Sequence, residues 1–357
     1  MNLSKSTKEP LCQLPEVVIV GTGTYLPSKI LTNYDLEKMV DTTDQWITER
    51  TGIKERRIAN EKETPSEMGA EAALIALQNA GLTPEDLDLI IVATTTPDTI
   101  FPSTACYIQQ KIGARTIPAF DIQAACSGFI YAFVLASHIV STGSARYILV
   151  VGAEKLSTII DWTDRNTCVL FGDGAGAAII AAGKDKNKRL SFNIGADGSH
   201  WQTLYIPAGG SKLPLTPQNI NHKLHYLHMV GKKVFKLAID SMEQSLLRCL
   251  KNAGRSLEDI ACIIPHQANL RIIEALSQRL HIPSEKFFVN MEKYGNTSSA
   301  CIPIALHEAI ISNRIKDGDI IVLVSFGAGI TWGSVLFEYK TKKMESLKKE
   351  EIALIGQ

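Results

Sequence analysis

Three residues of this sequence, far apart along the chain, combine a nucleophile with two hydrogen-bond donors. Cys126 follows the short strand-like run Ala119–Ile122 and precedes an apolar stretch typical of a buried helix. His266 comes directly after another apolar run, and Asn296 lies in a Gly-Asn turn before a third. A thiol, an imidazole and an amide together suit attack on an acyl group and stabilisation of developing negative charge.

The position of Cys126 predicts an activated thiol. Unpaired N–H groups and the positive end of the dipole at a helix start stabilise a thiolate and lower the pKa of the thiol. The neighbouring residues are small and leave room for a bulky substrate: Ala124, Ala125, Ser127 and Gly128. The alternative interpretation is a cysteine that only packs a buried core.

His266 and Asn296 also have simpler interpretations. A polar cluster at the end of a buried strand is typical of a site in α/β proteins, which favours a functional role for His266. A histidine can equally be hydrogen-bonded within a turn, and an isolated asparagine is commonly the N-cap of a helix. Three such residue types at three strand ends are nonetheless difficult to explain by packing alone.

An internal repeat predicts how these residues are arranged. Leu77–Ile91 aligns with Leu250–Ile264 at an offset of 173, and in each copy a helix ends on Asn-Ala-Gly before an apolar strand. Strands that are apolar on both faces are typical of a sheet covered by helices. Farther along, the Cys126 turn matches Asn296 at an offset of about 170. We therefore expect two copies of one α/β unit, with Cys126 and Asn296 at equivalent positions facing each other.

The repeat divides the chain into five segments. Two α/β halves, residues 17–183 and 231–340, are predicted to share a core, because 357 residues exceed the usual size of one domain. Residues 184–230, with charged and Gly/Pro-containing loops, are interpreted as an irregular connection over the surface with room for a short hairpin. Residues 1–16 form an N-terminal extension and residues 341–357 a charged tail.

The composition is that of a well-packed enzyme in a reducing compartment. Hydrophobic residues make up 45% of the chain and charged residues 21%, which is ordinary for a soluble protein. The 37 basic and 37 acidic residues balance, which argues against a general attraction to nucleic acid or membranes. Seven cysteines without a C-x-x-C pair predict neither a zinc ribbon nor a thioredoxin-like site. With no visible signal peptide or bilayer-spanning segment, we expect a cytoplasmic protein.

Two other motifs suggest functions that the sequence does not support. Val17–Thr24 begins like a dinucleotide-binding fingerprint, but a leucine replaces the third glycine and Pro27 follows where the helix should run. His222, His225 and His228 suggest a metal ligand set, but Leu227–Gly231 is predicted to be extended, where a spacing of three alternates faces, and no acidic residue or cysteine completes the set. We expect neither a dinucleotide fold nor a metal site.

Four short motifs occur in a characteristic order. They are Ala124–Gly128, Phe171–Ala177, Pro265–Arg271 and Gly295–Ala300. Together they resemble those of the β-ketoacyl-acyl-carrier-protein synthase III family of condensing enzymes, and the resemblance covers residues 17–339, nearly the whole chain. Asn296 is discriminating, because elongating synthases of the superfamily have a second histidine there. The resemblance implies an α/β, thiolase-like duplicated fold with a layered α/β/α/β/α core.

The resemblance implies a role for each matching residue. Cys126 would carry the acyl group, and His266 and Asn296 would donate hydrogen bonds to an oxyanion, with His266 also able to help deprotonate Cys126. A second oxyanion hole would use the backbone N–H groups of Cys126 and Ala328, where the family often has glycine. Phe101 would cross a dimer interface to close the partner's acyl pocket; ordinary core packing is its simpler interpretation.

The resemblance also implies substrate contacts. CoA and its pantetheine arm would be bound by Trp46, Arg50, Arg165 and Asn269. The acyl-carrier protein would contact Gln267, Ala268, Asn269, Leu270 and Arg271. Trp46 and Arg165 would stack on the adenine and Arg50 would meet phosphates, although a surface tryptophan and solvated arginines are equally ordinary features. Arg271 would be the basic anchor for an acidic partner.

The implied reaction is the first condensation of type II fatty acid biosynthesis, performed by an acyltransferase. Acetyl or another short acyl group passes from CoA to Cys126. Malonyl-acyl-carrier-protein then loses carbon dioxide, and its carbanion equivalent attacks the acyl-cysteine to give a 3-oxoacyl-acyl-carrier-protein. The resemblance further implies a homodimer and no metal or organic cofactor, since acyl-CoA is a substrate.

Two alternatives to this reaction remain at the level of sequence. A relative on the same scaffold would make quinolone, polyketide or hydroxymethylglutaryl products, or would transfer acyl groups without decarboxylation. A non-catalytic scaffold that binds carrier protein is the other, and the intact Cys126, His266 and Asn296 argue against it.

Overall fold

The structure is a computed structural model that describes residues 13–185 and 189–340. Its strands are β1 (Gln13–Pro15), β2 (Val17–Tyr25), β3 (Ile30–Thr32), β4 (Glu55–Arg57), β5 (Leu89–Ala93), β6 (Ala119–Ile122), β7 (Tyr147–Lys155), β8 (Asp173–Ala182), β9 (Arg189–Ala196), β10 (Leu204–Tyr205), β11 (His228–Met229), β12 (Ile260–Pro265), β13 (Ile320–Gly327) and β14 (Thr331–Glu338). Its α-helices are α1 (Asn33–Leu36), α2 (Asp44–Thr51), α3 (Pro65–Ala80), α4 (Thr104–Lys111), α5 (Gly128–Ser141), α6 (Arg165–Cys168), α7 (Gly231–Ala253), α8 (Leu270–Leu280), α9 (Met291–Tyr294) and α10 (Cys301–Ile311).

Ten of these strands form two five-stranded sheets of similar topology. The first sheet has the order β2-β8-β7-β5-β6 and the second has the order β1-β9-β14-β13-β12. In the first sheet β7 is parallel to β5 and antiparallel to β8, and in the second β13 is parallel to β12 and antiparallel to β14. The predicted duplication is therefore visible in both the order and the direction of the strands.

The sheets and helices form five layers. Helix α3 covers the outer face of the first sheet, and α7 and α8 cover the outer face of the second. Helices α5 and α10 lie between the sheets, where Phe129, Phe133, Ile302 and Leu306 are fully buried in one shared core. A helix between two sheets is apolar on nearly every side, as the sequence of α5 indicates. This layering confirms the α/β/α/β/α fold, and none of the described helices is long and apolar enough to cross a membrane.

The predicted segment boundaries need correction in two places. Residues 189–196, assigned from sequence to the connection 184–230, form β9, which pairs with β14 inside the second sheet. Residues 13–15, assigned to the N-terminal extension, pair with β9 as an edge strand. Only the first half of β9 is buried, so its apolar pattern is weak. The remaining connection contains the short antiparallel pair of β10 and β11, and the tail 341–357 lies outside the described residues.

The repeat keeps an offset of 173 through the turns before α5 and α10. The 3₁₀ turn 125–127 corresponds to the turn 298–300, and Ala125 and Ser298 have nearly the same positive φ, 48° and 49°. The counterpart of Cys126 is therefore Ser299 and not Asn296, which corrects the sequence-based alignment. The fully buried Ser299 hydroxyl lies 2.8 Å from both the Ala93 carbonyl oxygen and Oε1 of Glu154, so these two acceptors share its one hydrogen.

Candidate active site

Cys126, His266 and Asn296 line one cavity of about 750 Å³. Cys126 follows β6 in the first half, His266 follows β12 in the second, and Asn296 lies just before the turn that starts α10. All three side chains are nearly enclosed, with exposed fractions of 8%, 4% and 6%. The structure therefore brings together the three residues that the sequence singled out, in a site that is largely shielded from water.

Strands of the second half hold the turn that carries Cys126. The Ser325 hydroxyl donates to the Cys126 carbonyl at 2.8 Å, and the Thr331 hydroxyl donates to the Ala124 carbonyl at 2.9 Å. The Ser127 hydroxyl in turn donates to the Thr331 carbonyl at 3.2 Å. Ala125 has φ of 48°, an unfavourable value for a residue with a side chain, which persists only where surrounding contacts fix it. Both halves of the chain thus fix the position of the nucleophile.

The resting charge state of Cys126 differs from the prediction. Burial raises the pKa of the Cys126 thiol to about 12, although a hydrogen bond with Ser298 acts in the opposite direction. The helix start exists as predicted, but removal of water disfavours the thiolate. Burial also lowers the pKa of His266 to about 3. At neutral pH the site therefore holds a thiol and an uncharged imidazole instead of a thiolate and imidazolium pair.

The backbone and the side-chain oxygen of Asn296 are both engaged. Its N–H donates to the Leu170 carbonyl at 2.8 Å, and its carbonyl accepts from the Gly172 N–H at 3.0 Å. Its Oδ1 accepts from the Ser298 N–H at 2.8 Å. This contact closes a turn over two residues, and the N-cap position before the 3₁₀ turn 298–300 belongs to Thr297, so Asn296 is a turn residue and not the N-cap. Its NH₂ group remains to donate into the cavity.

Both the backbone N–H and the imidazole ring of His266 are held by hydrogen bonds. Its N–H donates to the Val324 carbonyl at 2.8 Å, which extends the pairing of β12 with β13 by one residue. Its Nδ1 lies 2.8 Å from Sγ of Cys301, a buried cysteine at the start of α10. Nε2 is therefore the ring nitrogen left for a substrate.

The loop after β13 lies against the backbone of Cys126. Gly327 is so close that a Cβ at this position would be 2.8 Å from the Cys126 nitrogen. Within the loop the left-handed conformations fall on Gly329 and Ile330, with φ of 72° and 50°, and not on Ala328. Alanine at position 328 therefore fits the backbone here, as the second oxyanion hole requires.

The proposed CoA residues lie at or near the cavity mouth. Trp46, Arg50 and Asn269 line the cavity. The guanidinium carbons of Arg50 and Arg165 lie 4.8 Å and 5.4 Å from the centre of the Trp46 ring. Arg165 also donates to the backbone and side chain of Asp41. For the adenine ring of CoA to stack between Trp46 and Arg165, the Arg165 guanidinium must therefore move away from its position over the Trp46 ring.

The proposed carrier-protein segment is only partly accessible. Gln267 is 1% exposed, and both ends of its amide are bonded internally, to the carbonyls of Pro265 and Phe288 and to the N–H of Asn290. Its assignment as a carrier-protein contact is therefore wrong, because the amide braces the chain behind His266.

The other four residues of the proposed carrier-protein segment, unlike Gln267, lie at or near the cavity. Ala268, Asn269 and Arg271 line the cavity, and Leu270 is half-buried against Gly52. Asn269 accepts from the Arg271 N–H at 2.9 Å and so caps α8. These residues mark the entrance on the side of the second half.

Phe101 lies away from the cavity of its own chain. It is 82% exposed and Ile100 beside it is 90% exposed, so Phe101 is not a core residue. Among the described residues, no group of three or more His, Cys, Asp or Glu side chains is placed to hold a metal ion.

Comparison with known proteins identifies the family. Residues 120–198 match the family model for 3-oxoacyl-[acyl-carrier-protein] synthase III, and residues 250–339 match the model of its C-terminal part. The β-ketoacyl-[acyl-carrier-protein] synthase III of Caldanaerobacter subterraneus is 52% identical over 329 residues, which is 92% of this chain and 99% of that protein. The chain belongs to the β-ketoacyl-acyl-carrier-protein synthase III family. The synthase is also 52% identical to its relative from Natranaerobius thermophilus, over 90% of this chain and 98% of that protein.

A solved structure agrees with this assignment. The 3-oxoacyl-[acyl-carrier-protein] synthase III of Aquifex aeolicus superposes on the synthase with a TM-score of 0.84 and 51% identity, covering 91% of this chain and 100% of that one. The family, the thiolase-like fold and the class of acyltransferase predicted from sequence are confirmed. The synthase is thus a condensing enzyme that initiates fatty acid chains.

Proposed function

We propose that the synthase loads a short acyl group from CoA onto Cys126 and condenses it with malonyl-acyl-carrier-protein. One observation supports this most directly: a single shielded cavity presents the Cys126 thiol together with one ring nitrogen of His266 and the NH₂ group of Asn296. The other polar atoms of these two side chains are already engaged. The products are carbon dioxide and a 3-oxoacyl-acyl-carrier-protein.

In the first stage the Cys126 sulfur attacks the acyl-CoA thioester. The new C–S bond replaces the bond to CoA, and the thiol proton ends on the departing CoA sulfur, so the cysteine stays uncharged before and after the step. The backbone N–H groups of Cys126 and Ala328 stabilise the tetrahedral oxyanion. Because the thiol pKa is raised to about 12, the thiolate exists only during the reaction.

In the second stage the malonyl thioester loses carbon dioxide and negative charge develops on its oxygen. Its α-carbon then forms a C–C bond with the acyl carbonyl carbon while the C–S bond to Cys126 breaks, and the released thiolate takes up one proton from water. His266 and Asn296 each donate one hydrogen bond to the malonyl oxygen. A donor of this kind contributes on the order of 3 kcal/mol in enzymes of known energetics, and more in a dry site than in water. Asn296 cannot take up a proton, so its contribution is electrostatic.

Separate assays of the two stages test these roles. Cys126→Ser should abolish the mass increase that acetyl-CoA produces, while the matched Cys106→Ser, outside the cavity, should not. Asn296→Ala should keep that mass increase and lose carbon dioxide release from malonyl-carrier-protein about 100- to 1,000-fold. An unchanged mass of the native enzyme after acetyl-CoA would refute the proposal.

The carrier protein is proposed to dock beside the cavity mouth at the start of α7 and α8. Arg271 lines the cavity, and Lys232, Lys233 and Lys236 are exposed on the first turns of α7. Such a basic surface favours an acidic partner and gives a salt-sensitive association. Arg271→Glu should raise KM for malonyl-carrier-protein while loading from acetyl-CoA stays unchanged; equal effects on both would contradict this surface.

We also propose a homodimer in which Phe101 closes the acyl pocket of the partner. Two neighbouring side chains as apolar and exposed as Ile100 and Phe101 are typical of a protein interface. Phe101→Ala should keep the dimer and shift primer preference toward longer acyl-CoAs. A native protein that is monomeric by light scattering would refute this.

A cytoplasmic location and the absence of a metal or organic cofactor complete the proposal. The cytoplasmic location is supported by six free cysteines among the described residues. The absence of a cofactor is supported by the side chains of Cys126, His266 and Asn296, which can supply both a nucleophile and oxyanion donors. Activity that is unchanged after treatment with a chelator and dialysis is expected.

A further inference from the structure

Cys301 is a buried thiol that contacts a proposed catalytic residue without reaching the substrate. It is the first residue of α10 and is 2% exposed. Its Sγ lies 2.8 Å from Nδ1 of His266 and 3.5 Å from the backbone nitrogen of Gln267. His266 lines the cavity, whereas Cys301 is not among the described residues that do. Cys301 therefore lies behind the imidazole ring.

The direction of the hydrogen bond between these residues decides what His266 can do. An uncharged imidazole has one N–H and one lone pair. If Nδ1 accepts, Nε2 carries the hydrogen and can donate to an oxyanion. If Nδ1 donates to the sulfur, Nε2 has the lone pair and can only act as a base toward Cys126.

The surroundings of Cys301 favour the first arrangement. Its sulfur, a weak acceptor, already receives the N–H of Gln267, so the S–H group is the part left to interact with His266. Burial raises the pKa of the Cys301 thiol well above its usual range, so its hydrogen stays on the sulfur. Burial likewise keeps the imidazole uncharged, with a lone pair available at Nδ1.

We infer that Cys301 is a positioning residue that donates its S–H to Nδ1 of His266 and thereby places the ring hydrogen on Nε2. The inference rests on the proposed oxyanion role of His266 and makes it specific. With Nδ1 engaged and Nε2 protonated, the ring has no free lone pair. His266 is then a donor for the malonyl oxygen and not the base that deprotonates Cys126.

The first test observes the tautomer in the native enzyme. Nitrogen NMR of protein labelled at histidine distinguishes a protonated ring nitrogen from one with a lone pair. The signal that disappears in His266→Gln identifies this ring among the eight histidines. We expect a lone-pair shift at Nδ1 and a protonated shift at Nε2. The reverse pattern would overturn the inference, whether or not His266 proves essential.

The second test uses substitutions of Cys301. Serine keeps a donor, and its oxygen lies nearer its own Cβ than sulfur does, so the short S···N separation leaves room for an O–H···N bond. Alanine removes the donor. We expect Cys301→Ala to lose up to about tenfold in decarboxylation, the scale of one neutral hydrogen bond, and Cys301→Ser to restore most of it. The matched Cys262→Ala, a buried core thiol outside the cavity, should behave like the native enzyme.

Loading of Cys126 separates these effects from damage to the fold. Each variant should still gain the acyl mass from acetyl-CoA, since this stage uses other donors. Equal decarboxylation rates in Cys301→Ala and Cys301→Ser would overturn the inference. If His266→Ala kept its decarboxylation rate, the proposed function itself would fail, while the NMR result would still report the tautomer. If Cys301→Ala does not fold, the NMR measurement on the native enzyme decides.

Discussion

A methyl group added at Gly327 should slow the loading of Cys126 through steric contact alone. Gly327 ends β13, and a Cβ there would lie 2.8 Å from the Cys126 nitrogen, 2.8 Å from Oγ1 of Thr331 and 3.1 Å from the Ser127 nitrogen. Two of these distances are shorter than real Cβ atoms tolerate. The residue has φ of −150°, which alanine adopts without strain. Any effect of Gly327→Ala therefore comes from contact with the nucleophile turn and with the Thr331 hydroxyl that bonds to this turn.

The structure gives the size of this effect. Restoring an ordinary contact of 3.4 Å moves the Cys126 N–H by about 0.6 Å, and a misplacement of about 1 Å can reduce a rate about 100-fold. Gly327 cannot retreat easily, because it is paired with Thr331 on β14. The shift also moves an oxyanion-hole donor, so we expect loading to fall about 10- to 100-fold. Overpacking should cost about 1–3 kcal/mol in the free energy of unfolding.

Time courses of acyl-enzyme mass after mixing with acetyl-CoA measure the loading rate, and urea unfolding measures stability. Gly69→Ala is the matched control: its Cβ would meet Cδ1 of Ile108 at 2.6 Å, the mobile end of a side chain, outside the cavity. It should load at the native rate. A Gly327→Ala enzyme that loads at the native rate, or an equal loss in Gly69→Ala, would refute the reasoning.

Three further predictions concern charge and the nucleophile turn. Because burial raises the pKa of Cys126 to about 12, alkylation of this residue should accelerate continuously from about pH 6 to about pH 10; a plateau near neutrality would indicate a stable thiolate instead. Burial lowers the pKa of His266 to about 3 and also lowers that of His307, so the unfolded chain binds more protons below about pH 6.5. The free energy of unfolding should therefore decrease as the pH is lowered below about 6.5, by up to about 1.4 kcal/mol per pH unit for each histidine. His266→Gln should make the urea midpoint depend less on pH across this range. Ser325→Ala leaves the buried Cys126 carbonyl without its hydroxyl donor, which should cost about 1–3 kcal/mol of stability and slow loading; native values for both would show that this hydrogen bond is dispensable.

The sequence was sufficient to predict the placement of residues that lie at the ends of strongly apolar strands and helices. Cys126, His266 and Asn296 each adjoin a buried strand or helix whose pattern is clear, so their convergence in one cavity could be predicted. The register of the repeat could not be settled in the same way. The Gly-Asn turn drew the alignment to Asn296, and only the shared positive φ of Ala125 and Ser298 shows the true correspondence.

Other features depend on tertiary burial, which local sequence does not encode. Gln267 sits between two motif residues but points inward, and Cys301 meets His266 only because α10 packs against the end of β12. The pKa of Cys126 was predicted in the wrong direction for the same reason: the helix start is a local feature, whereas the loss of water is a property of the whole cavity. Strand β9 was missed because half of its residues face outward.

The serine at the position equivalent to Cys126 shows what happened to the second copy of the nucleophile turn. A chain that arises by duplication begins with two copies of each reactive turn, yet here only one opens onto the substrate cavity. In the other, the Ser299 hydroxyl is sealed between the Ala93 carbonyl and the Glu154 carboxylate, which also accepts from Thr95 and Thr96. One copy of the turn thus carries the proposed nucleophile, and the other holds the two halves together through buried hydrogen bonds. Neither half is therefore a smaller version of the enzyme. Two separately expressed halves would have to reassociate before either regained a working site.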